Sequence, residues 1–282
     1  MRRRTIAFAT YDGMPALTAD DRLAIAPLSA RGIEVVPAIW SAPATDWRRF
    51  DAVVLRSTWD YHKRPREFRA WLDRLEETGV PLWNSVSLAR WNMDKRYLRE
   101  LAARGIATVP TAWMAADGEV DVGAIMESYG WTDAVLKPVI AATLYRTIRV
   151  TRDAGRITTL GHGEAMLQRF VPQIEKEGEW SLVFLGGEYS HAMLKRPAPG
   201  DFRVQEEFGG SSAAADAPEE LRESAARVLA AVDGPWLYAR VDGVRADGGL
   251  LLMELEMLEP LLFLGEHPRA PGRFADAIAE VL

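Results

Sequence analysis

The sequence predicts a mixed α/β and α+β protein, with an N-terminal parallel α/β domain followed by an antiparallel α+β region. Strands and helices alternate up to residue 78, which is typical of a parallel sheet covered by helices. Later strands instead follow one another across short glycine turns, as they do in hairpins. The 282 residues, 48% of them hydrophobic, are enough for a sizeable core and more than one domain.

The N-terminal elements are predicted from apolar runs and the signals at their ends. Residues 5–9, 33–40 and 52–56 are typical of short strands, and residues 20–31 and 66–78 of helices. Gly32 and Gly79 follow the two helices directly, where glycine commonly ends a helix. Ligands of such sheets bind beyond the carboxyl ends of the strands, so the segment after the third strand is a candidate substrate pocket.

That segment, RSTWDYH at residues 56–62, contains three candidate substrate residues. Arg56 is the best candidate for holding a substrate carboxylate, because its guanidinium offers a fork of donors. Asp60 and His62 are the other two, with His62 able to bind substrate or act as a base. An ordinary loop anchored by Trp59 explains the segment equally well. In that alternative, Arg56 forms a salt bridge to Asp60 or to another acid, and His62 has a structural or surface role.

The later elements follow from the same patterns. One predicted helix ends at Gly105, and two others cover residues 217–232 and 270–282. The predicted strands cover residues 106–112, 131–138, 165–171, 179–185 and 189–196, with Gly186-Gly187 as the turn between the last two.

Residues 237–262, LYARVDGVRADGGLLLMELEMLEPLL, predict a further β-hairpin and are the most informative part of the chain. Two alternating runs flank residues 247–249, Asp-Gly-Gly, which are predicted to form a three-residue loop. A hairpin centred on Gly248 pairs Asp242 with Glu254 and Arg240 with Glu256, and these four side chains share one face. Strict alternation puts the other side chains of the second strand on the opposite face: Leu251, Met253 and Leu255.

Three carboxylates this close would repel each other unless a cation lay among them. Ligands that are all oxygen suit Mg²⁺ or Mn²⁺ rather than Zn²⁺. Magnesium completes its shell with water and substrate phosphate, so Asp242, Glu254 and Glu256 are candidate ligands of a metal–phosphate complex that Arg240 also contacts. The alternative is an acidic hairpin face in water. The strongly apolar second strand argues for burial instead.

Composition excludes several classes of protein. The net charge is −6 and the pI about 5.4, which argues against nucleic-acid binding. Cysteine is absent, so disulfides, thiolate catalysis and cysteine-ligated zinc are excluded. No stretch is long and apolar enough for a membrane span or a signal peptide, so a cytoplasmic location without a membrane partner is expected. The histidines lack zinc-site spacing: His62, His162, His191 and His267.

The order of these motifs resembles the ATP-grasp superfamily, in the style of glutathione synthetase and D-alanine–D-alanine ligase. The resemblance implies an N-terminal substrate-binding domain at residues 1–80 and two α+β grasp subdomains at residues 81–165 and 166–282. It also implies ATP and two Mg²⁺ ions as cofactors, with Mn²⁺ as an alternative, and a small amino-acid-like substrate. A homodimer is common in the superfamily.

The resemblance assigns a role to each candidate site residue. Lys95 and Lys137 correspond to the lysines that bind nucleotide phosphates, and Glu179 to the acid that binds ribose. Gln168, Arg169, Phe170 and Val171 correspond to the strand that holds adenine, and Met253 to the residue beneath the ring. Lys195, Arg203 and Arg240 face the reacting phosphate, and Asp242, Glu254 and Glu256 are the magnesium ligands.

The sequence departs from the family pattern at two places. Glu256 stands where asparagine is usual, which makes the metal site more acidic. The loop after Lys137-Pro138, normally rich in glycine, reads VIAATLYR, so fewer left-handed backbone positions are available, and Thr143 or Arg146 is expected to help it close over ATP. The segments RSTWDYH, GDFRVQEEFGG and MELEMLEP are loosely similar to the group with the cyclo-ligase that forms D-cycloserine from O-ureido-D-serine.

The resemblance implies activation of a carboxylate as an acylphosphate, with ADP released and phosphate then displaced by an amine or a similar nucleophile. Cyclisation within one substrate is an alternative to joining two. The glycine-free loop keeps open a protein that binds nucleotide without turnover. An ATP-dependent small-molecule kinase on the same fold is the other alternative.

Overall fold

The computed structural model describes residues 3–114, 119–142, 145–158 and 164–282. Within these residues the chain forms three sheets of four or five strands and one small two-stranded sheet. Helices cover these sheets, so the mixed α/β and α+β content predicted from the sequence is confirmed.

The first sheet is parallel and contains the N-terminal strands in the order β2-β1-β3-β4. Its strands are β1 (Arg4–Thr10), β2 (Ile33–Ile39), β3 (Ala52–Ser57) and β4 (Leu82–Trp83). Its helices are α1 (Ala19–Arg22), α2 (Ile25–Ala30) and α3 (Pro65–Thr78). Gly79 ends α3 in the left-handed conformation, as expected. Strand β4 extends this sheet beyond the boundary predicted at residue 80.

The prediction of one helix over residues 20–31 was wrong, because the chain breaks there into α1 and α2. Pro27 explains the break. Proline lacks an N–H group and its ring clashes with the carbonyl four residues earlier, so a helix cannot continue through that point. In the first turn of a new helix the missing donor does no harm, and Pro27 lies in the first turn of α2.

The second sheet is antiparallel, in the order β5-β10-β7-β8. The elements of this region are α4 (Val86–Asn92), α5 (Tyr97–Ala103), β5 (Thr111–Met114), β6 (Glu119–Asp121), α6 (Val122–Ser128), β7 (Asp133–Pro138), β8 (Ile148–Thr151), β9 (Arg156–Thr158) and β10 (Ala165–Arg169). The boundary predicted after residue 165 falls inside β10 of this sheet. The strand predicted at residues 106–112 instead begins at Thr111, after Pro110, although Thr108 bridges to Leu252.

The third sheet is antiparallel, in the order β13-β12-β11-β14-β15. Its region contains α7 (Gln173–Lys176), β11 (Glu179–Leu185), β12 (Glu188–Arg196), β13 (Ser211–Ala214), α8 (Glu219–Ala230), β14 (Tyr238–Ala246), β15 (Gly249–Glu256) and α9 (Ala270–Glu280). Helix α8 packs on β14 and β15 through Leu221, Ala225 and Val228. The two predicted hairpins and both helices are therefore present.

Helix α9, the last helix, packs against the first strand of the N-terminal sheet. Phe274 of α9 packs with Phe8 of β1, ring centroids 6.2 Å apart, and with Tyr238 of β14, 6.0 Å apart. One apolar core thus connects the first and third sheets and fixes the N-terminal sheet beside the hairpin of β14 and β15. In the described part of the chain, no helix has the length and apolar content needed to cross a bilayer.

Candidate active site

A cavity of about 530 Å³ lies between the second and third sheets. This size suits a small-molecule site. Most residues predicted for the site line this cavity: Lys95, Lys137, Gln168, Arg169, Phe170, Val171, Glu179, Lys195, Arg203, Arg240, Met253, Glu254 and Glu256. The predicted residues that do not line it are Asp242, Arg56, Asp60 and His62. The fold therefore brings distant strands together around one cavity, as the order of motifs indicated.

The hairpin of β14 and β15 has the predicted pairs at its acidic end. Arg240 pairs with Glu256 and Asp242 pairs with Glu254. The loop prediction was wrong, however, because Ala246 pairs with Gly249 and leaves a two-residue turn. Both turn residues, Asp247 and Gly248, have positive φ angles of 48° and 78°. Such turns match the twist of the flanking strands, which explains the preference for Asp-Gly.

A β-bulge reconciles the short turn with the predicted pairs. The register shifts between Asp242 and Gly243, so Met253 is the extra residue on β15. The strict alternation predicted for β15 was therefore wrong. Leu252 and Leu255 face the large core of the third sheet, whereas Met253 and Glu254 both line the cavity. Without the bulge, Met253 and Glu254 would lie on opposite faces, since neighbouring side chains alternate.

The acidic side chains are held by cations. Arg240 donates from Nε to both Asp242 carboxylate oxygens at 3.0 Å and also pairs with Glu256. Lys95 donates to Glu254 Oε1 at 2.6 Å, and Lys195 pairs with Glu179. Among the described residues, no three acidic or histidine side chains converge into a ready metal site. In this arrangement lysine and arginine occupy the positions beside the carboxylates that a divalent cation would take.

The pKa values show how these charges balance. Burial disfavours the charged forms of Asp242 and Glu254. Arg240 and Lys195 nevertheless keep the pKa of Asp242 below its ordinary range. Lys95 and Lys137 do the same for the pKa of Glu254. Burial raises the pKa of Glu256 to about 7. Arg240 lowers this pKa, whereas the nearby carboxylates of Asp242 and Glu254 raise it. The donor set therefore fits a divalent cation, because it is oxygen-only and holds a third carboxylate that lacks full compensation.

The phosphate side of the cavity contains Lys95, Lys137 and the loop after β7. Lys95 donates from its main-chain N to Val139 O at 2.8 Å and from Nζ to Ala141 O at 2.7 Å, which fixes the start of the loop. Burial lowers the pKa of Lys137 to about 8, with Glu254 opposing the shift and Lys95 adding to it. A bound anion would therefore stabilise the charged form of Lys137, which suits its predicted role in binding phosphate.

Among its described residues, the glycine-free loop has Arg146 in the left-handed region. Arg146 has a φ angle of 53°, and its guanidinium lies 5.2 Å from the centre of the Tyr145 ring. Thr143, the other residue expected to assist closure, lies outside the described residues, as does His162.

The nucleotide side of the cavity contains the predicted adenine strand. Gln168 donates weakly to Thr111 of the adjacent strand, at 3.4 Å. Phe170 packs edge to face with Phe202 and carries Arg149 over its ring at 3.7 Å. These contacts make an apolar slot that Met253 closes from the other sheet. Their roles toward adenine stay predictions.

Arg203 and Glu179 have partners of their own. Arg203 pairs with Asp201 at 2.7 Å and lies 3.9 Å from the centre of the Phe208 ring, although it lines the cavity. Glu179 pairs with Lys195, whose Nζ also lies 3.8 Å from Asp242 Oδ1. Contacts to ribose or to the reacting phosphate would have to compete with these ion pairs, so both roles stay predictions.

The structure corrects the prediction for Arg56. Its side chain is only 1% exposed, and its Nε donates to Asp21 Oδ1 at 2.8 Å. Its Nη2 donates to Pro260 O at 2.9 Å. All directions of the guanidinium are thus taken inside the protein, and the alternative of a salt bridge holds. The acid is Asp21, rather than Asp60, because folding brings α1 beneath β3.

Asp60 and His62 also lie outside the cavity lining. Asp60 accepts from Trp40 Nε1 at 2.7 Å and from Arg64, so it has a structural role in the N-terminal core. Burial lowers the pKa of His62 to about 4, with Lys63 adding to the shift. Its ring packs 4.9 Å from Tyr145 of the loop after β7. Direct substrate contacts by these two side chains are therefore not supported by this geometry.

Two residues that the sequence analysis did not assign complete the wall between the N-terminal sheet and the cavity. Trp59 and Glu259 both line the cavity, and Trp59 Nε1 donates to Glu259 O at 3.0 Å. Trp59 lies in the segment predicted to form the substrate pocket, where the sequence also allows a loop that Trp59 only anchors. Glu259 lies after the end of β15, where strand alternation no longer predicts which way a side chain points.

The chain is similar in sequence and fold to several known proteins. A family model described as the N-terminal domain of D-cycloserine synthetase DcsG matches residues 6–84. The cycloserine biosynthesis protein DcsG of Streptomyces lavendulae is 34% identical over 271 residues, which cover 89% of this chain and 90% of that protein. The crystal structure of D-cycloserine synthetase DcsG has a TM-score of 0.85 and 30% identity, covering 98% of this chain and 99% of that one. D-alanine–D-alanine ligase of Bacillus anthracis, at 16% identity, shares the fold with a TM-score of 0.69, covering 98% and 96%.

Proposed function

Because the chain belongs to the DcsG family of ATP-grasp ligases, we propose that it activates the carboxylate of a small amino acid with ATP and closes it onto a nitrogen of the same molecule. Membership of this family confirms the resemblance predicted from the motifs and makes the chain an ATP-dependent ligase. The finer part of the proposal is the substrate, O-ureido-D-serine or a close analogue, and the ring closure.

The observation that carries the proposal is the shared cavity of Arg240, Glu254, Lys95 and Lys137. With Glu256, two lysines, an arginine and two glutamates line this one cavity, whose volume of about 530 Å³ suits a small-molecule site. A protein that only bound adenine would not need so many charges where the terminal phosphate would lie.

In the proposed reaction a substrate carboxylate attacks the γ-phosphorus of ATP, ADP leaves, and the nitrogen nucleophile then displaces phosphate from the acylphosphate. Lys95 and Lys137 hold the nucleotide phosphates, and Arg240 and Lys195 stabilise the transferring phosphoryl group. Asp242, Glu254 and Glu256 would hold magnesium, which when bound neutralises charge on the phosphoryl oxygens.

Phosphate binding would also rearrange the ion pairs of the site. Lys95 now neutralises Glu254, and Arg240 neutralises Asp242 and Glu256. When phosphate takes the cations, the carboxylates lose their partners and gain affinity for magnesium. Nucleotide and metal binding should therefore be coupled, each strengthening the other.

The test is ADP release against a panel of amino acids that includes O-ureido-D-serine, with products identified by mass. ADP together with a cyclised product supports the proposal. ADP with a stable phosphorylated substrate would show a kinase, and nucleotide binding without ADP would show a protein that does not turn over. The use of two metal ions, a homodimer and a cytoplasmic location stay predictions.

A further inference from the structure

Glu259 is a buried carboxyl group that the proposed reaction leaves without a role. It is 9% exposed and lines the cavity beside Trp59. Among the described residues, no lysine or arginine lies within ion-pair distance of it, whereas Asp242, Glu254 and Glu256 each have such a partner. A buried carboxylate without a partner is unfavourable, and burial together with Glu256 raises the pKa of Glu259 well above its ordinary range.

The main chain around Glu259 is anchored by side chains from several elements. Every main-chain carbonyl of residues 257–262, here called the anchored segment, has a side-chain hydrogen-bond partner. The pairs are Asn84 with Met257 O, Tyr238 with Leu258 O, Trp59 with Glu259 O, Arg56 with Pro260 O, Arg240 with Leu261 O and His191 with Leu262 O. Their distances run from 2.7 Å for Asn84 to 3.0 Å for Trp59.

This anchoring includes two buried guanidinium groups, which are unfavourable to remove from water. Arg56 and Arg240 each donate one hydrogen bond to a carbonyl of the segment. Such rigidity is typical of segments that present a ligand-binding side chain, because affinity depends on placing the group before the ligand arrives. Glu259 is the side chain of the anchored segment that is ionisable and lines the cavity.

We propose that Glu259 binds the ammonium group of the amino-acid substrate. This inference rests on the proposed function and names the residue that selects an amino acid over a simple carboxylic acid. A substrate ammonium supplies the positive charge that the carboxylate lacks, and a charge-assisted hydrogen bond in a buried site is strong. Glu259 is close enough to Lys95 and Arg240 to feel their charges, so the ammonium would lie near the phosphoryl group that meets the substrate carboxylate.

This location restricts the substrate further. An ammonium held by Glu259 and a carboxylate held among the phosphate-binding cations of the same cavity suit an α-amino acid, in which both groups are bonded to one carbon atom. A β- or γ-amino acid would have to separate the two charges more widely. Trp59 forms the adjoining apolar wall, against which the rest of the side chain can pack.

The test compares Glu259→Gln with the wild type on O-ureido-D-serine and on its deaminated analogue, 3-(ureidooxy)propanoate. Glutamine keeps the shape and removes the charge. We expect kcat/KM for O-ureido-D-serine to fall about 10- to 100-fold, mainly through KM, with the much poorer rate on the deaminated analogue nearly unchanged. Glu266→Gln, the same change at an exposed carboxylate seven residues on, is the control and should match the wild type.

A second measurement separates this role from metal binding. The thermal stabilisation given by magnesium and a non-hydrolysable ATP analogue should be the same in Glu259→Gln and in the wild type. Loss of that stabilisation would make Glu259 a metal ligand and overturn the inference. Equal losses on both substrates, or none on either, would also overturn it while leaving the proposed function in place. A wild type that releases no ADP with any amino acid would instead refute the proposed function, and the inference with it.

Discussion

Replacing Arg56 with methionine separates a structural role from a substrate-binding one. The Arg56 side chain is 1% exposed and its partner Asp21 is 2% exposed, so the substitution leaves a buried carboxylate without its cation. Removing one member of a buried ion pair costs about 3–5 kcal/mol. The lost hydrogen bond to Pro260 O adds about 1 kcal/mol. Contacts with the rings of Tyr238 and Phe274, 4.9 and 5.5 Å away, are kept in part by the methionine.

The expected result is a large loss of stability at neutral pH. The two losses together are about 4–6 kcal/mol, so at about 2–4 °C for each kcal/mol the melting temperature should fall by roughly 8–24 °C. The double variant Asp21→Asn/Arg56→Met no longer buries a charge and should recover at least about 2 kcal/mol relative to Arg56→Met. Thermal and urea unfolding followed by tryptophan fluorescence measure both, and exposed Arg66→Met is the matched control.

The opposite result would refute the structural argument. If Arg56→Met kept the stability of the wild type but raised KM for the amino-acid substrate, the guanidinium would be a substrate ligand after all. A double variant no more stable than Arg56→Met would show that the loss does not come from the unpaired Asp21.

Three further predictions concern the cavity and its surroundings. Glu254→Gln and Arg240→Ala should each lower the rate of ADP release at least about 100-fold, whereas exposed Arg227→Ala should not; near-normal rates in both would refute the site. A non-hydrolysable ATP analogue at 100 times its Kd should stabilise the wild type by about 2.7 kcal/mol with magnesium and much less with EDTA, and an unshifted melting curve would contradict this. Burial lowers the pKa of His191 to about 4 from an ordinary 6.5, so the unfolded chain takes up a proton in this window and the folded chain does not. The contribution of His191 to stability should therefore fall by up to about 3 kcal/mol as pH drops from 6.5 to 4, and buried His62, whose pKa is also lowered to about 4, adds a loss of the same sign. His191→Gln should remove the His191 share of this slope in urea unfolding, and an unchanged profile would show that His191 contributes none of it.

The hairpin shows how far local sequence patterns reach. Alternation and a loop centred on Gly248 predicted the pairs of Asp242 with Glu254 and Arg240 with Glu256, and both pairs are present, although the turn is one residue shorter than predicted and a bulge restores the register. The same rule failed at Met253. A bulge depends on how β15 packs against its neighbours, and nothing in an alternating run marks which residue will be the extra one.

Arg56 shows where the sequence ceased to be informative. The sequence placed Arg56 in a polar segment after a strand, and its type alone allows either a ligand or an ion pair. Asp21 decides between them, but it lies 35 positions earlier and reaches Arg56 only when α1 packs beneath the sheet.

By itself the sequence determined the kind of chemistry to expect: the charged side chains, their spacing along strands and the absence of cysteine predict a site for phosphate and an oxygen-ligated metal. Tertiary structure alone decided which charges face the cavity and which neutralise each other in the interior. The physical reason is that charge and periodicity are properties of neighbouring residues, whereas burial and ion pairing depend on segments far apart in the chain, as the anchored segment around Glu259 demonstrates.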